Sequence, residues 1–441
     1  MTEPSKSQSV QDLLFEELTK AIWRWRVELT LISCVGLVYF VSTRKIGPIW
    51  SGVLVGIGVI VLLNLAPIRT WLKSLLGLSN ERRRFEAAIR VQESPLATSR
   101  PIVKGVHKVA SGICLTVKLR SGTAFKELER IAPYLAVHYG AMEVQVRANL
   151  QNAAFAYVTI TYKDPLSGDE IEWPYLDRSQ VSAWDPIPIG INEEGEEVKV
   201  SFPGRHFFIG GESGSGKSVS VSVILAWLAR DPTVELFVFD GKNIELSVWK
   251  PIFRGWVGTD LKEGIELLDR ILDIMSDRYR ILGDLGIRKL ERHHGLGLIY
   301  VIIDELPFYV ANSDTKSAKE FSIRLRHLIS EARAAGIIVT LTAQKPSADT
   351  VPSYIRDLVA LRLAFRCTTR EASDTILTGG WASQNYSATS IAPKDRGVGL
   401  FLGDEGIPRR IRGYWLNDES IDIVVRSAQL LRRSYQDPEM S

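Results

Sequence analysis

Gly211-Glu212-Ser213-Gly214-Ser215-Gly216-Lys217-Ser218 follows directly on the apolar run His206-Phe207-Phe208-Ile209. The order fits G-x-x-x-x-G-K-[ST]. In that motif glycines let backbone N–H groups close around phosphates, while an ammonium and a hydroxyl reach phosphate oxygens and a divalent cation. ATP and Mg²⁺ are therefore the expected cofactors. Tyr300-Val301-Ile302-Ile303-Asp304-Glu305 is an apolar strand ending in two acids. The first, Asp304, is placed to share the metal with Ser218, and the second, Glu305, to polarise the water that attacks the γ-phosphate. Lys217 and Glu305 are thus catalytic candidates, and hydrolysis rather than mere binding is expected. Thr342-Ala343-Gln344-Lys345-Pro346-Ser347 puts an amide at the end of the next strand. Gln344 is a candidate sensor of the γ-phosphate, or alternatively a turn cap before Pro346.

These residues need a scaffold whose strand ends converge. From Pro186 onward strands and helices alternate, as a mostly parallel sheet covered on both faces requires. Strands are predicted at 206–209, 234–239, 298–303, 337–342, 359–365 and 399–402. Helices are predicted after Lys217 and at 261–282, 317–334 and 419–432. Ligands of such α/β sheets bind beyond the carboxyl ends of the strands, where the glycine loop falls. Upstream, strand-like runs at 112–119 and 153–162 enclose a helical run at 125–137, predicting a small α/β module with no catalytic constellation of its own. His293 and His294 read as surface residues without companions at metal-ligand spacing.

The 441 residues exceed one ordinary core, and the net charge of +3 provides no global basicity, so any nucleic-acid surface must be local. The three cysteines are isolated and fit neither a disulfide framework nor a zinc site. Ile46 to Leu65 contains no charge and is long enough for a bilayer core of about 30 Å. Leu29 to Val41 is shorter and needs Arg26 and Glu28 at the interface. The expectation is a helical hairpin spanning at about 29–43 and 46–65, with both ends on the cytoplasmic side because basic residues cluster before and after it. Arg82 to Arg84 read as topology anchors. The predicted organisation is a membrane anchor over 1–75, a linker over 76–102, the small module over 103–185, the ATPase domain over 186–418 and a C-terminal helix over 419–441.

The segment Glu331-Ala332-Arg333-Ala334-Ala335-Gly336-Ile337, leading into Thr342-Ala343-Gln344-Lys345-Pro346-Ser347, resembles the "ARAAGI…ATQRPS" stretch of the FtsK/SpoIIIE family of DNA translocases. Phe239-Asp240-Gly241-Lys242 with Glu245-Leu246 is similar to that family's "D-P-K…E-L", and Asp277-Arg278-Tyr279 to its "E-R-R-Y". Leu361-Arg362-Leu363-Ala364-Phe365-Arg366 resembles "T-R-I-A-F-R", and Ser373-Asp374-Thr375-Ile376-Leu377 resembles "S-R-T-I-L". The correspondence runs from about Val103 to Leu416.

The resemblance implies a RecA-like ATPase that assembles as a homo-hexameric ring around double-stranded DNA. It makes Arg362 the candidate arginine finger supplied to a neighbour's γ-phosphate, with Arg366 as runner-up. Lys242 reads either as part of the nucleotide site or as a surface lysine. Asp374 departs from the family's arginine, and the segment from Gly379 to Arg396 lacks its leucine-rich part, so base contacts there are unassigned. About two dozen residues follow Leu416, too few for the family's winged-helix domain. The combined expectation is a short bacterial inner-membrane motor with a cytoplasmic ATPase domain, serving plasmid or conjugative DNA transfer, with no small-molecule substrate besides ATP. The alternatives are a membrane ATPase energising protein secretion and a nucleotide-gated membrane scaffold.

Overall fold

The computed structural model describes residues 26–436 except 54, 56, 58–65, 91–98, 100, 122, 150, 348 and 349. The chain divides into two compact units, Met1–Asp164 and Pro165–Ser441. In the first, strands β1 (Ile102–Val109), β2 (Gly112–Lys118), β3 (Glu143–Ala148) and β4 (Phe155–Thr161) form an antiparallel sheet in the order β1-β2-β4-β3. Alternation along β4 sends Ala156, Val158 and Ile160 inward, against Leu128, Ile131 and Leu135 of the helix Phe125–Tyr139. That helix stops at Gly140, whose φ of 60° suits a residue without a β-carbon.

A second helix, Ala66–Arg90, completes this core with Phe85, Ala88 and Ile89. The expected linker over 76–102 is therefore helical through Arg90. Its basic run has a structural duty: Arg82 donates to the Val103 carbonyl (3.0 Å), and Arg84 donates to the Tyr139 carbonyl (3.1 Å) while lying over the Tyr139 ring. The arginines at 82 and 84 are thus packing pins of the small unit. Among the described residues no helix is long and apolar enough to cross a membrane. The expected span at 29–43 lies within the helix Arg26–Ile46, and its uncharged stretch reaches only about 22 Å. For the expected span at 46–65, residues 54, 56 and 58–65 lie outside the described residues.

The second unit is built on a ten-stranded sheet in the order β6-β5-β14-β13-β12-β7-β11-β10-β8-β9. The strands are β5 (Ile187–Asn192), β6 (Glu197–Val200), β7 (Phe207–Gly210), β8 (Glu235–Asp240), β9 (Gly255–Val257), β10 (Ile299–Asp304), β11 (Ile337–Ala343), β12 (Leu361–Phe365), β13 (Val398–Leu402) and β14 (Arg409–Gly413). From β12 to β9 all neighbours are parallel, whereas β13, β14, β5 and β6 extend the sheet antiparallel. The sheet is mixed, which narrows the expectation of a mostly parallel one. An antiparallel extension needs no crossover helix, so its strands lack the strand–helix rhythm by which parallel ones are recognised.

The central strands are buried on both faces. Phe208, Phe237, Phe239, Val301 and Val339 meet the helices Leu261–Asp284 and Thr315–Glu331 on one side. Phe207, Ile209, Val238, Ile302 and Leu363 meet the helices Lys217–Leu228 and Asp418–Gln436 on the other. Residues 165–185 also pack into this unit: Trp173 and Ala183 join the second core, and Arg230 donates to the carbonyls of Tyr175 (3.0 Å) and Leu176 (2.7 Å). β7 lies between β11 and β12, so the chain leaves its carboxyl end with one crossover neighbour on each side. That is the switch point where such sheets open a crevice.

Candidate nucleotide site

The glycine loop springs from the end of β7 and runs into the amino end of the helix Lys217–Leu228, where unsatisfied N–H groups and the helix dipole favour an anion. Two of its glycines are required by space as well as by backbone angle. Gly211 has φ +147°, and a β-carbon there would stand 2.8 Å from the Phe365 β-carbon. Gly216 has φ +120°, and a β-carbon would meet the Gly397 α-carbon at 3.0 Å. The loop is fastened from outside: Glu212 N–H donates to the Arg366 carbonyl (2.9 Å), its carboxylate pairs with the Arg366 guanidinium, and Gly397 N–H donates to the Ser215 carbonyl (2.9 Å).

Lys217 is buried and its Nζ donates to the carbonyls of Gly211 (2.7 Å) and Glu212 (2.8 Å). Burial, with repulsion from Lys242, lowers its pKa to about 8, against the opposing pull of Glu305, Glu245 and Asp304. It remains a cation at neutral pH that is poorly solvated, a state which phosphate oxygens relieve. The Ser218 hydroxyl donates to the Glu245 carboxylate, and Lys242 Nζ lies 3.1 Å from Glu245 and 3.8 Å from Glu305.

Asp304 is 4% exposed; its Oδ1 accepts from the Thr342 hydroxyl (2.7 Å), while its Oδ2 is buried with no hydrogen-bond partner. Burial raises the Asp304 pKa. An orphaned buried carboxylate oxygen fits a divalent cation: Mg²⁺ keeps several waters and takes one or two protein oxygens beside those of phosphate. Among the described residues no group of three His, Cys, Asp or Glu side chains is arranged to hold a metal ion. Ser218 and Asp304 are therefore the residues that would hold it.

Glu305 takes a left-handed φ of 60° at the turn after β10, and its two carboxylate oxygens accept from the Gln344 N–H (3.2 and 3.3 Å). Burial raises its pKa, as suits a group that must take a proton. Next to Gln344, Lys345 is also left-handed at φ 46°. Such angles cost on the order of 1–3 kcal/mol each in non-glycine residues and concentrate at functional sites. The Gln344 side chain borders the same cavity of about 310 Å³ as Gly216, Lys217 and Ser218. The structure thus brings together Gly211 to Ser218, Asp304, Glu305 and Gln344.

It does not bring Arg362 with them as a finger. Arg362 is 4% exposed within β12, donating to the Ile376 carbonyl (2.9 Å) and to the Arg356 carbonyl, and burial lowers its pKa to about 10. Within its own chain Arg362 braces β12 against the carbonyls of Ile376 and Arg356. Arg366 is likewise engaged with its own glycine loop. Asp374, the charge reversal, has a local purpose: its carboxylate accepts from the N–H groups of Ala382 (3.0 Å) and Gly380 (3.4 Å), shaping the Gly379–Trp381 turn.

Residue types alone do not single out Asp240 or Thr342 and give Glu245 no role. Asp240 ends β8 in register with Asp304 on β10, is fully buried, and has an Oδ2 without a partner. The signal in the sequence is a second apolar strand ending in an acid.

Residues 177–383 match the model of the FtsK/SpoIIIE family. The DNA translocase FtsK of Lactococcus lactis subsp. cremoris is 28% identical over 331 residues, covering 70% of this chain and 42% of the relative. That of Streptococcus pneumoniae is 27% identical over 374 residues, covering 79% of this chain and 47% of the relative. The chain spans less than half the length of these curated relatives. Among solved structures, the pCW3 conjugation coupling protein TcpA, in a monomer form with ATPγS, superposes with a TM-score of 0.54 at 17% identity. That match covers 80% of this chain and 99% of TcpA. EssC (ATPases 2 and 3) from Geobacillus thermodenitrificans gives a TM-score of 0.51 at 17% identity, covering 61% of this chain and 52% of EssC. At such identity the likeness is one of fold. Sequence match, sheet order and phosphate-loop geometry agree: this chain carries an FtsK/SpoIIIE family domain, a P-loop ATPase core, over residues 177–383.

Proposed function

We propose that the chain is an ATP-driven motor that moves double-stranded DNA, works as a ring of identical subunits tethered to a bacterial inner membrane, and serves DNA transfer between cells. The observation that supports the hydrolytic part is a pair of acids near Lys217, the buried Asp304 with an unpartnered oxygen and the half-buried Glu305 with a raised pKa. A scaffold that only binds nucleotide has no use for the second acid. The DNA part is supported by FtsK relatives matching 70–79% of the chain, and the transfer role by the fold shared with a conjugation coupling protein.

In this reading the loop N–H groups and Lys217 hold the triphosphate, and Glu305 orients the attacking water and takes its proton as the γ-phosphate oxygen bond breaks. Ser218 and Asp304 would hold Mg²⁺, which would supply charge neutralisation at the phosphates. Gln344, joined to Glu305 through its own N–H, reports the state of that carboxylate to the segment after β11. The apolar stretch 46–65 supports the tether.

The test is ATP turnover by the full chain in lipid vesicles with duplex DNA, single strands or candidate secreted peptides added, alongside Lys217→Ala. Stimulation by duplex above single strands, absent in Lys217→Ala, is expected. Stimulation by peptide alone would replace the DNA motor with a protein-secretion ATPase.

A further inference from the structure

The cavity that begins at the glycine loop does not end with the phosphates. It continues from Gly216, Lys217 and Ser218 to a second set of walls made by Arg396, Gly397, Tyr414, Trp415 and Glu170. These walls are tied to the loop by backbone bonds: Gly397 N–H donates to Ser215, and Gly413 N–H donates to Gly397 (2.8 Å). A hollow of about 310 Å³ running on from a triphosphate cradle has room for more than phosphate.

We infer that this outer half receives the nucleoside, with the Trp415 indole as the platform on which the base stacks and the Glu170 carboxylate as acceptor for the 6-amino group of adenine. The inference rests on the ATPase reading above and extends it to the choice of base. Trp415, two residues past β14, is 36% exposed and borders the cavity, so part of a large apolar residue is left uncovered there. Its position is fixed before any ligand arrives. Trp415 N–H donates to the Ile171 carbonyl (2.7 Å), and Trp173 N–H donates to the Trp415 carbonyl (2.9 Å), clamping the residue from both sides. The segment that carries Glu170 is held just as firmly. Arg412, 3% exposed, donates to the carbonyls of Leu166 (2.8 Å) and Gly168 (2.9 Å), spending a buried guanidinium on one short loop. Stacking is tolerant of base identity, whereas a carboxylate accepts from a 6-amino group and repels a 6-oxo oxygen. Trp415 therefore governs affinity and Glu170 governs the preference for adenine over hypoxanthine.

The experiment is calorimetric titration of the full chain with ATP, inosine triphosphate and inorganic triphosphate. Trp415→Ala is expected to weaken ATP by about tenfold or more, with inorganic triphosphate binding retained, and Trp415→Phe to keep most of the affinity. Retained binding of inorganic triphosphate also shows that the variant is folded. Glu170→Gln is expected to narrow the ATP-over-inosine preference, because its amide donates to a 6-oxo group. The inference is overturned if ATP binding to Trp415→Ala stays within about twofold of the parent, or if Glu170→Gln leaves the base preference unchanged. If Lys217→Ala fails to weaken inorganic triphosphate, the phosphate-loop reading falls and this one with it. If only the Trp415 and Glu170 variants behave as the parent, the phosphate loop stands alone.

Discussion

The two ends of the large sheet treat several of their polar groups differently. At the amino ends of the strands the buried His206 and the half-buried Arg278 and Arg432 are satisfied by the backbone, while the buried Tyr300 hydroxyl near the start of β10 has no partner. His206, ahead of β7, accepts from the Val339 N–H at Nδ1 (3.0 Å) and donates from Nε2 to the Ile329 carbonyl (3.0 Å). Arg278 donates to the carbonyls of Ala335 (2.8 Å) and Gly297 (2.7 Å), the turns leading into β11 and β10. Arg432 does the same for Val234 (2.8 Å) and Asp231 (3.1 Å) ahead of β8. At the carboxyl ends, Asp240 and Asp304 keep orphaned oxygens, Glu305 and Lys345 hold left-handed backbone, and Lys217 is a poorly solvated cation. One end is built for cohesion. The other holds unmet interactions that a triphosphate and its metal can complete.

Glu305→Gln tests this contrast at its strongest point. It should cut ATP turnover by about 10³-fold, as loss of a proton acceptor and water-orienting group does, while leaving the melting temperature unchanged or higher. Steady-state hydrolysis and calorimetry measure both, and a large loss of stability would mean that the carboxyl end is cohesive too.

The next effect belongs to the amino end. Burial lowers the His206 pKa from 6.5 to about 4, so between these values the unfolded chain binds the proton and the folded chain does not. Stability is fully present above pH 6.5 and is lost as pH falls toward 4, by about 3 kcal/mol from this residue. Urea denaturation across that range, compared with His206→Gln, should show the variant with the shallower slope.

The smallest effect runs the other way. The Asp304 pKa is raised by burial, so its ionisation opposes folding, and the associated stability is lost as pH rises through the shifted value. Asp304→Asn should be modestly more stable than the parent at neutral pH in the absence of nucleotide while abolishing metal-dependent turnover. Denaturation midpoints with and without Mg-ATP check both halves.

Where candidate residues are concentrated in a short run, their place in the fold is legible in the sequence. The glycine loop, Asp304, Glu305 and Gln344 are contiguous with the strands that present them, and the predicted strands at 206–209, 298–303 and 337–342 overlap β7, β10 and β11 closely. Relationships across strands were hidden. Asp240 becomes a companion of Asp304 only because β8 lies beside β10 in register. Arg362 looked like a finger because its neighbours in the chain fit the pattern, but the carbonyls of Ile376 and Arg356 that enclose it are contributed by the fold. The strands β1 and β3 of the small unit went unpredicted because IVKGVHKV and EVQVRA mix charges and glycine into a pattern only half apolar. Trp415 and Glu170 lie far apart in the chain, and no local periodicity joins them.

The Thr342 hydroxyl has a mechanical meaning. Pairing between β10 and β11 ends at Ile303 and Leu341, and just past that point this one oxygen donates to Asp304 and accepts from the Glu305 N–H (3.1 Å). It works as a single stitch past the end of a seam. Asp304 and Glu305 are geared to one another through it, so a shift of one is felt at the other. The two acids are jaws that open on a common pin.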